Sequence, residues 1–465
     1  MDRTDLAFAG IARQAELVRA GEVSSRELVE LYLERMARVG PQLNAVRVVF
    51  AERALAEADQ AAARRRGGDE RPLLGVPVLI KDDVDVAGEV TCKGTGAEDR
   101  PATADAESVR RLRAAGAIVL GKTHTPELMQ WPFTESSTWG ATRNPWDLGR
   151  SPGGSSGGSG AAVAAGLAGA ASASDGAGSI RIPAACCALF GLKPQRGRIP
   201  TAPSEDGWQG LTTFGCVTRS VRDTALWLDV VADRAEGDGA GSFAEAAERG
   251  EGGLPSLRIA CSTRNPLFAP LAPELRAAYE ETIALLRSLG HTVERVDPPY
   301  RDVLTEIVPR YLRGVAEDAA TLAHPRRLER RSRGMVRMGR LLPAQVVARA
   351  RANEATTTRR LGEVFADHDV LLTPATAQLP LPVGRYEGRG ALWTFNGVAR
   401  YTPYTPAWNV TGQPAASIPA GFTPDGLPVA VQLVGRTGDE ATLLSLSAQL
   451  EAARPWADRR PALAA

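Results

Sequence analysis

Lysine is almost missing from this chain. Of 55 basic residues only Lys81, Lys93, Lys122 and Lys193 are lysine; the rest are arginine. Arginine keeps its proton in any protein environment, whereas a buried lysine can give its proton up. A lysine kept against such a bias is a candidate for chemistry that arginine cannot copy, and all four fall between 81 and 193. Histidine is scarce too, at His124, His291, His324 and His368, which leaves little for histidine-based catalysis. The five cysteines, Cys92, Cys186, Cys187, Cys216 and Cys261, form no CxxC pair. That excludes a zinc framework and a disulfide scaffold, and reads as reduced thiols in a cytoplasmic protein. No apolar run is long enough to span a bilayer, and the charged residues of 1–20 leave no signal-peptide core. With a net charge of +1, no global field draws the chain to nucleic acid or membrane.

What is present has the pattern of an α/β protein. Ser24–Glu27 form a capping box ahead of apolar residues at helical spacing. Val76–Ile80 is a continuous apolar run that ends on Lys81, Asp82 and Asp83, as a buried strand with a charged end would. Ala117–Leu120, Leu257–Cys261 and Val370–Leu372 read as strands; Ser220–Val231 and Pro273–Leu289 read as helices. Such alternation predicts a largely buried sheet covered by helices. Residues 235–255 are small, polar and Gly-rich, and are expected to form a surface loop or linker. Residues 301–360 are helical in propensity and rich in arginine.

The stretch SPGGSSGGSG at 151–160 admits three readings: a flexible linker, a phosphate cradle, or a site of serine chemistry. The Ala-dense segment that follows argues against a linker. Gly116–Thr123 fits a phosphate-loop pattern, but its Ala-Ile-Val-Leu interior favours a strand. Gly153–Gly157 fits the GxSxG nucleophile elbow, which needs a preceding strand and a partner histidine; the sequence supplies neither well. The Asp82–Asp83 pair has no His or Cys near it, so no metal site is expected. Two Gly/Ser loops, at 151–160 and 175–179, flank one helix of small residues. Gly-rich turns expose successive N–H groups that bind an anion or an oxyanion.

Taken together, Gly75–Asp82, Gly116–Thr123, Thr142–Asp147, the whole of Ser151–Pro194, Gly412–Ala415 and Gly426–Leu433 resemble the amidase signature family, and within it the hydrolytic amidases. The resemblance implies one domain over 1–465: an N-terminal helical segment at 1–70, a catalytic core at 75–235, a variable Arg-rich region at 236–365, and a C-terminal part at 366–465 that completes a large mixed sheet with helices on both faces. It implies a Ser-Ser-Lys triad with Lys81 as base, Ser155 as bridge and Ser179 as nucleophile, and a cis peptide before Ser155. It implies an oxyanion hole of the Gly176, Ala177, Gly178 and Ser179 amides, an acyl-enzyme, a small-molecule amide substrate, linear or cyclic, and no cofactor. The family loop commonly reads Asp-Thr-Gly-Gly-Ser; here Ala177 stands inside it, and alanine at positive φ would be strained.

Within the family, the rival is the glutaminase subunit of a tRNA-dependent amidotransferase; Ile182 stands where those subunits carry glutamine. An esterase or acyltransferase on the same triad, and a silent binding protein, remain as alternatives. Met129, Trp131, Trp208 and Trp393 are expected in the substrate pocket. Homodimer formation through the N-terminal helix is a further expectation. Seven arginines lie in 324–340; they read as a solvated or subunit-contacting helix face, or as a patch for an anionic group.

Overall fold

A computed structural model describes residues 1–204, 206–234 and 241–464. Eleven strands make its central sheet: β1 (Val46–Val49), β2 (Pro77–Lys81), β3 (Ile118–Thr123), β4 (Ala170–Asp175), β5 (Gly191–Lys193), β6 (Thr213–Thr218), β7 (Arg258–Cys261), β8 (Thr292–Arg295), β9 (Val370–Pro374), β10 (Ala415–Phe422) and β11 (Pro428–Gly435). One half runs β1-β3-β2-β4-β6, the other β8-β7-β9-β11-β10-β5. An antiparallel bridge between Phe190 and Thr218 joins them. Strands β3, β2 and β4 are parallel, as are β9, β7 and β8; the rest pair antiparallel. The sheet is therefore mixed, and its central strands are buried on both faces, which is why they read as apolar or small throughout.

Alternation along the strands divides the core in two. Leu79, Ala171, Ala173 and Val217 join one cluster, with the helices Ser25–Leu43, Gly157–Ala164 and Val303–Thr321. Val78, Ile80, Ala170 and Cys216 join the other, with the helices Glu107–Ala114, Val221–Val231, Pro273–Ser288 and Glu440–Ala453. Successive side chains of a strand point to opposite faces, so each strand serves both layers.

Ile118–Thr123 is the strand that its apolar interior favours, and not a phosphate loop. Two expectations change. A Cβ at Gly121 would stand 2.1 Å from the Val48 carbonyl oxygen, so the glycine admits edge strand β1. That strand lies inside the segment read as helical, where Val-Arg-Val-Val favours extended chain. Of the stretch read as a loop at 235–255, residues 235–240 lie outside the described residues, and Phe243–Glu251 is a helix. Ser242 and Glu245 form its capping box, and Phe243, Ala246, Ala247 and Gly250 bury its inner face. Capping and a thin apolar stripe outweighed the glycine content.

Candidate active site

Lys81 closes β2 and is wholly buried. Its N–H donates to Ser172 Oγ of β4 at 2.8 Å. Its Nζ meets three groups: Ser155 Oγ at 2.8 Å, Ser174 Oγ at 2.6 Å and Asp83 Oδ2 at 3.1 Å. Ser174 Oγ in turn donates to Asp83 Oδ2 at 2.5 Å. Burial pushes the Lys81 ammonium down from its ordinary value, against the opposing charges of Asp83 and Asp175. A lysine in that balance can exist as the neutral amine a base requires.

Ser155 follows a cis Gly154–Ser155 peptide. It precedes the Gly157–Ala164 helix, whose small residues let it lie close to its neighbours. A Cβ at Gly154 would fall 2.4 Å from the Trp131 carbonyl oxygen, and one at Gly158 2.4 Å from that of His124. Ser156 Oγ accepts from the Ser174 N–H at 3.3 Å and Ser159 Oγ donates to the Ser172 carbonyl at 2.8 Å. Those bonds tie the first Gly/Ser loop to β4, from which the second loop departs.

That second loop is built around Asp175, the last residue of β4. Its carboxylate accepts from the N–H groups of Gly178 (2.6 Å) and Ile180 (3.1 Å), from Asn409 Nδ2 (2.8 Å), and from Arg181 through Nε (3.0 Å) and a terminal nitrogen (2.9 Å). Burial alone would raise its pKa; the Arg181 charge and the donated hydrogen bonds hold it well below the usual carboxylate range. Arg181 is completed by Gln432 Oε1 at 2.7 Å, Asn409 Oδ1 at 2.7 Å and the Thr405 carbonyl at 3.0 Å. Asp175 and Arg181 thus brace the loop between them; Asn409, Gln432 and Thr405, which complete the brace, lie more than 220 residues away and carry no local signal in the sequence.

The Gly178 N–H was expected among the oxyanion donors. It is turned instead onto Asp175. Among the described residues the N–H groups of Ala177 and Ser179 have no partner, and Thr405 Oγ1 pins the Ala177 carbonyl at 2.7 Å. The left-handed conformation falls on Gly178, at φ 128°, and not on Ala177. Alanine in the loop is therefore unstrained.

Ser179 and Ala177 open onto a cavity of about 250 Å³. Met129, Trp131 and Trp208 line it, as expected, with Ile182, Ile307, Tyr311 and Phe395 among its other walls. No lining residue is charged. Trp208 is fixed edge-on to Tyr311 at 4.7 Å between centroids, and its Nε1 donates to Asp318 at 2.7 Å. Trp393 does not reach the cavity. It is 49% exposed, against Tyr386 and beneath Arg389. On the Ala391–Tyr401 helix the inward positions are Phe395, Val398 and Ala399, and two residues back from Phe395 lies the opposite side of the helix.

The other conspicuous residues are structural. Lys122 pairs with Asp82 at 3.0 Å, and Arg47 with Asp82 at 2.7 Å. Lys93 pairs with Asp318 at 3.0 Å, and buried Lys193 donates to the Pro194 carbonyl at 3.0 Å. All five cysteines are buried and free. Among the described residues no histidine hydrogen-bonds Ser155 or Ser179, so the GxSxG stretch is not part of a histidine triad. Of the arginines in 324–340, Arg331 turns inward, paired with Glu329 at 2.9 Å and lying over Trp131 and Phe133. No helix among the described residues is long and apolar enough to cross a membrane.

Comparison with known proteins gives these features a context. The Amidase family model matches residues 27–444. The chain belongs to the amidase signature family. It is 52% identical to AmiB2 of Mycobacterium tuberculosis over 466 residues, spanning 100% of both chains. It is 38% identical to the 6-aminohexanoate-cyclic-dimer hydrolase of Pseudomonas sp. NK87, covering 100% of this chain and 98% of that one. Among solved structures, a 6-aminohexanoate cyclic dimer hydrolase complexed with substrate superposes with a TM-score of 0.89 at 36% identity, over 99% of this chain and 100% of that one. The peptide amidase of Stenotrophomonas maltophilia gives 0.80 at 27% identity, over 98% of each chain. Membership makes this chain an amide-hydrolysing enzyme of the amidase fold.

Proposed function

We propose that this amidase cleaves uncharged, largely apolar carboxamides, linear or cyclic, through Ser179, Ser155 and Lys81. The observation that carries the reading is a buried lysine held 2.8 Å from Ser155 Oγ, beside a cavity that Ser179 lines and that presents no charged side chain.

Neutral Lys81 takes the Ser155 hydroxyl proton while Ser155 takes that of Ser179. The Ser179 oxygen bonds the amide carbon, and the carbonyl π pair moves onto oxygen. That oxyanion is stabilised by the Ala177 and Ser179 N–H groups, which have no other partner among the described residues. The C–N bond then breaks, and the proton returns through Ser155 to the departing amine or ammonia. Water, deprotonated by the same relay, attacks the ester and releases the carboxylic acid and Ser179.

The cavity wall supports the choice of substrate. Burying a charged substrate group in it without a partner is unfavourable, whereas aryl or alkyl groups gain from contact with Met129, Ile307 and Phe395. Ile182 on that wall also speaks against a glutaminase role. The 6-aminohexanoate cyclic dimer, uncharged and with ring amides, is a reasonable first substrate.

The test is active-site labelling with a fluorophosphonate, mapped by peptide mass, beside hydrolysis of anilides, lactams, esters and glutamine. One adduct on Ser179 is expected, with hydrolysis of the uncharged amides. In Lys81→Met, which fills the same space without a titratable nitrogen, kcat is expected to fall by roughly 10³-fold or more. A Lys81→Met enzyme of near-normal rate, or turnover confined to glutamine, overturns the reading.

A further inference from the structure

We propose that Asp83, acting through Ser174, is a positioning residue that aims the lone pair of neutral Lys81 at Ser155. The inference rests on the triad proposed above and adds to it the reason the proton moves in one direction.

The turn after β2, closed by the Val84 N–H on the Lys81 carbonyl at 3.1 Å, folds the Asp83 carboxylate back beside its own strand end. Its Oδ2 meets both Ser174 Oγ and Lys81 Nζ. A carboxylate only accepts, so the single Ser174 proton is committed to Asp83. Ser174 Oγ can then only accept from Lys81, and so can Asp83. A neutral amine has two N–H bonds and one lone pair. Both N–H bonds are directed at Ser174 and Asp83. The lone pair is left facing the third neighbour, Ser155, whose Oγ has no other hydrogen-bond partner among the described residues. Ser155 is also the one neighbour with a proton to give. Without the Asp83–Ser174 bond, the Ser174 hydroxyl would be free to donate to the amine and compete for the lone pair.

Asp83 also acts by charge. The charged groups facing Lys81 are Asp83 and Asp175. Asp175 is matched by Arg181, and neighbouring Asp82 by Lys122 and Arg47. Asp83 is matched by Lys81 itself; its Oδ1 is buried and has no hydrogen-bond partner among the described residues. Asp83 therefore favours the ammonium form and sets the pH at which the base becomes available.

The experiment measures the rate of fluorophosphonate labelling at Ser179 across pH 5–10 in the full-length enzyme, in Asp83→Asn and in Ser174→Ala. In the parent enzyme the rate is expected to rise with pH to a plateau as Lys81 loses its proton. Asp83→Asn keeps an acceptor oxygen but removes the charge. Its rising limb is expected to move to lower pH by roughly one unit, with a plateau lowered by about 10- to 100-fold because the lone pair is no longer directed. Ser174→Ala loses one hydroxyl and no charge; its limb stays in place while its plateau falls. An Asp83→Asn profile superimposable on the parent's, or one lowered without any shift, overturns the inference, as does parent-like labelling of Ser174→Ala. Absence of a Ser179 adduct in the parent enzyme overturns the triad and this inference with it; an adduct without the shifts overturns this inference alone.

Discussion

Asp175 and Arg181 are both fully buried, and neither is asked to react. Their worth lies in the loop they hold: one carboxylate gathers the Gly178 and Ile180 amides on either side of Ser179. Replacing one member of such a pair leaves the other charge buried without a match. Asp175→Asn is expected to lower stability by about 3–5 kcal/mol, measured by urea unfolding at pH 7. The pH dependence has a definite sign. A carboxylate whose folded pKa is depressed stabilises at every pH above its unfolded value near 4, and that stability is lost as pH falls toward the folded value. The difference between parent and Asp175→Asn should thus be constant from about pH 5 to 8 and shrink below about pH 4. A difference that grows on acidification would refute the assignment. At this scale the sequence was informative where residue chemistry is peculiar, in a rare lysine at a strand end; the alanine among loop glycines carried no strain, because Gly178 takes the left-handed conformation. The sequence misled at Gly178 and Trp393, because the direction in which an N–H or an indole points is settled by the partner it finds.

Elements show how small residues decide approach. Gly250 lies on the Phe243–Glu251 helix where it crosses the C-terminal helix Glu440–Ala453, and a Cβ there would stand 2.0 Å from the Ser445 carbonyl oxygen. Backbone cannot yield as a flexible side chain does. Gly250→Ala is therefore expected to destabilise by about 1–3 kcal/mol, although alanine is the better helix former. Calorimetry decides it: a raised melting temperature would show that helix propensity outweighs the contact. Read from composition, the same segment passes for a loop. Gly250 is there for a neighbour that the local sequence does not mention.

Across the whole molecule, the sheet is assembled from distant pieces. Among the described residues, strand β5 is joined to the rest of its half only through β10, and β7 and β8 only through β9. Each large core cluster draws on both ends of the chain: Leu6 and Ala464 in one, Ile11 and Trp456 in the other. A chain ending at residue 365 would lack β9, β10 and β11, and would leave edges unpaired and a core face open. It is expected to be insoluble or without a cooperative unfolding transition, as judged by solubility and circular dichroism. A soluble fragment that unfolds cooperatively would mean that 1–365 folds alone.

The α/β class and the burial of the central strands were determined by the sequence alone, and the sequence set apart Lys81 as a lysine kept at the end of a buried strand. Hydrophobic period, capping and the ability of lysine, unlike arginine, to lose a proton are local properties, written within a few residues of where they act. Tertiary structure alone decided that Asp83 and Ser174 would complete the surroundings of Lys81, that Asn409 and Gln432 would complete those of Arg181, and that Trp393 would be left outside the cavity. Those outcomes depend on which distant backbone arrives alongside and on which groups must be satisfied once water is excluded, and neither condition exists until the sheet has closed.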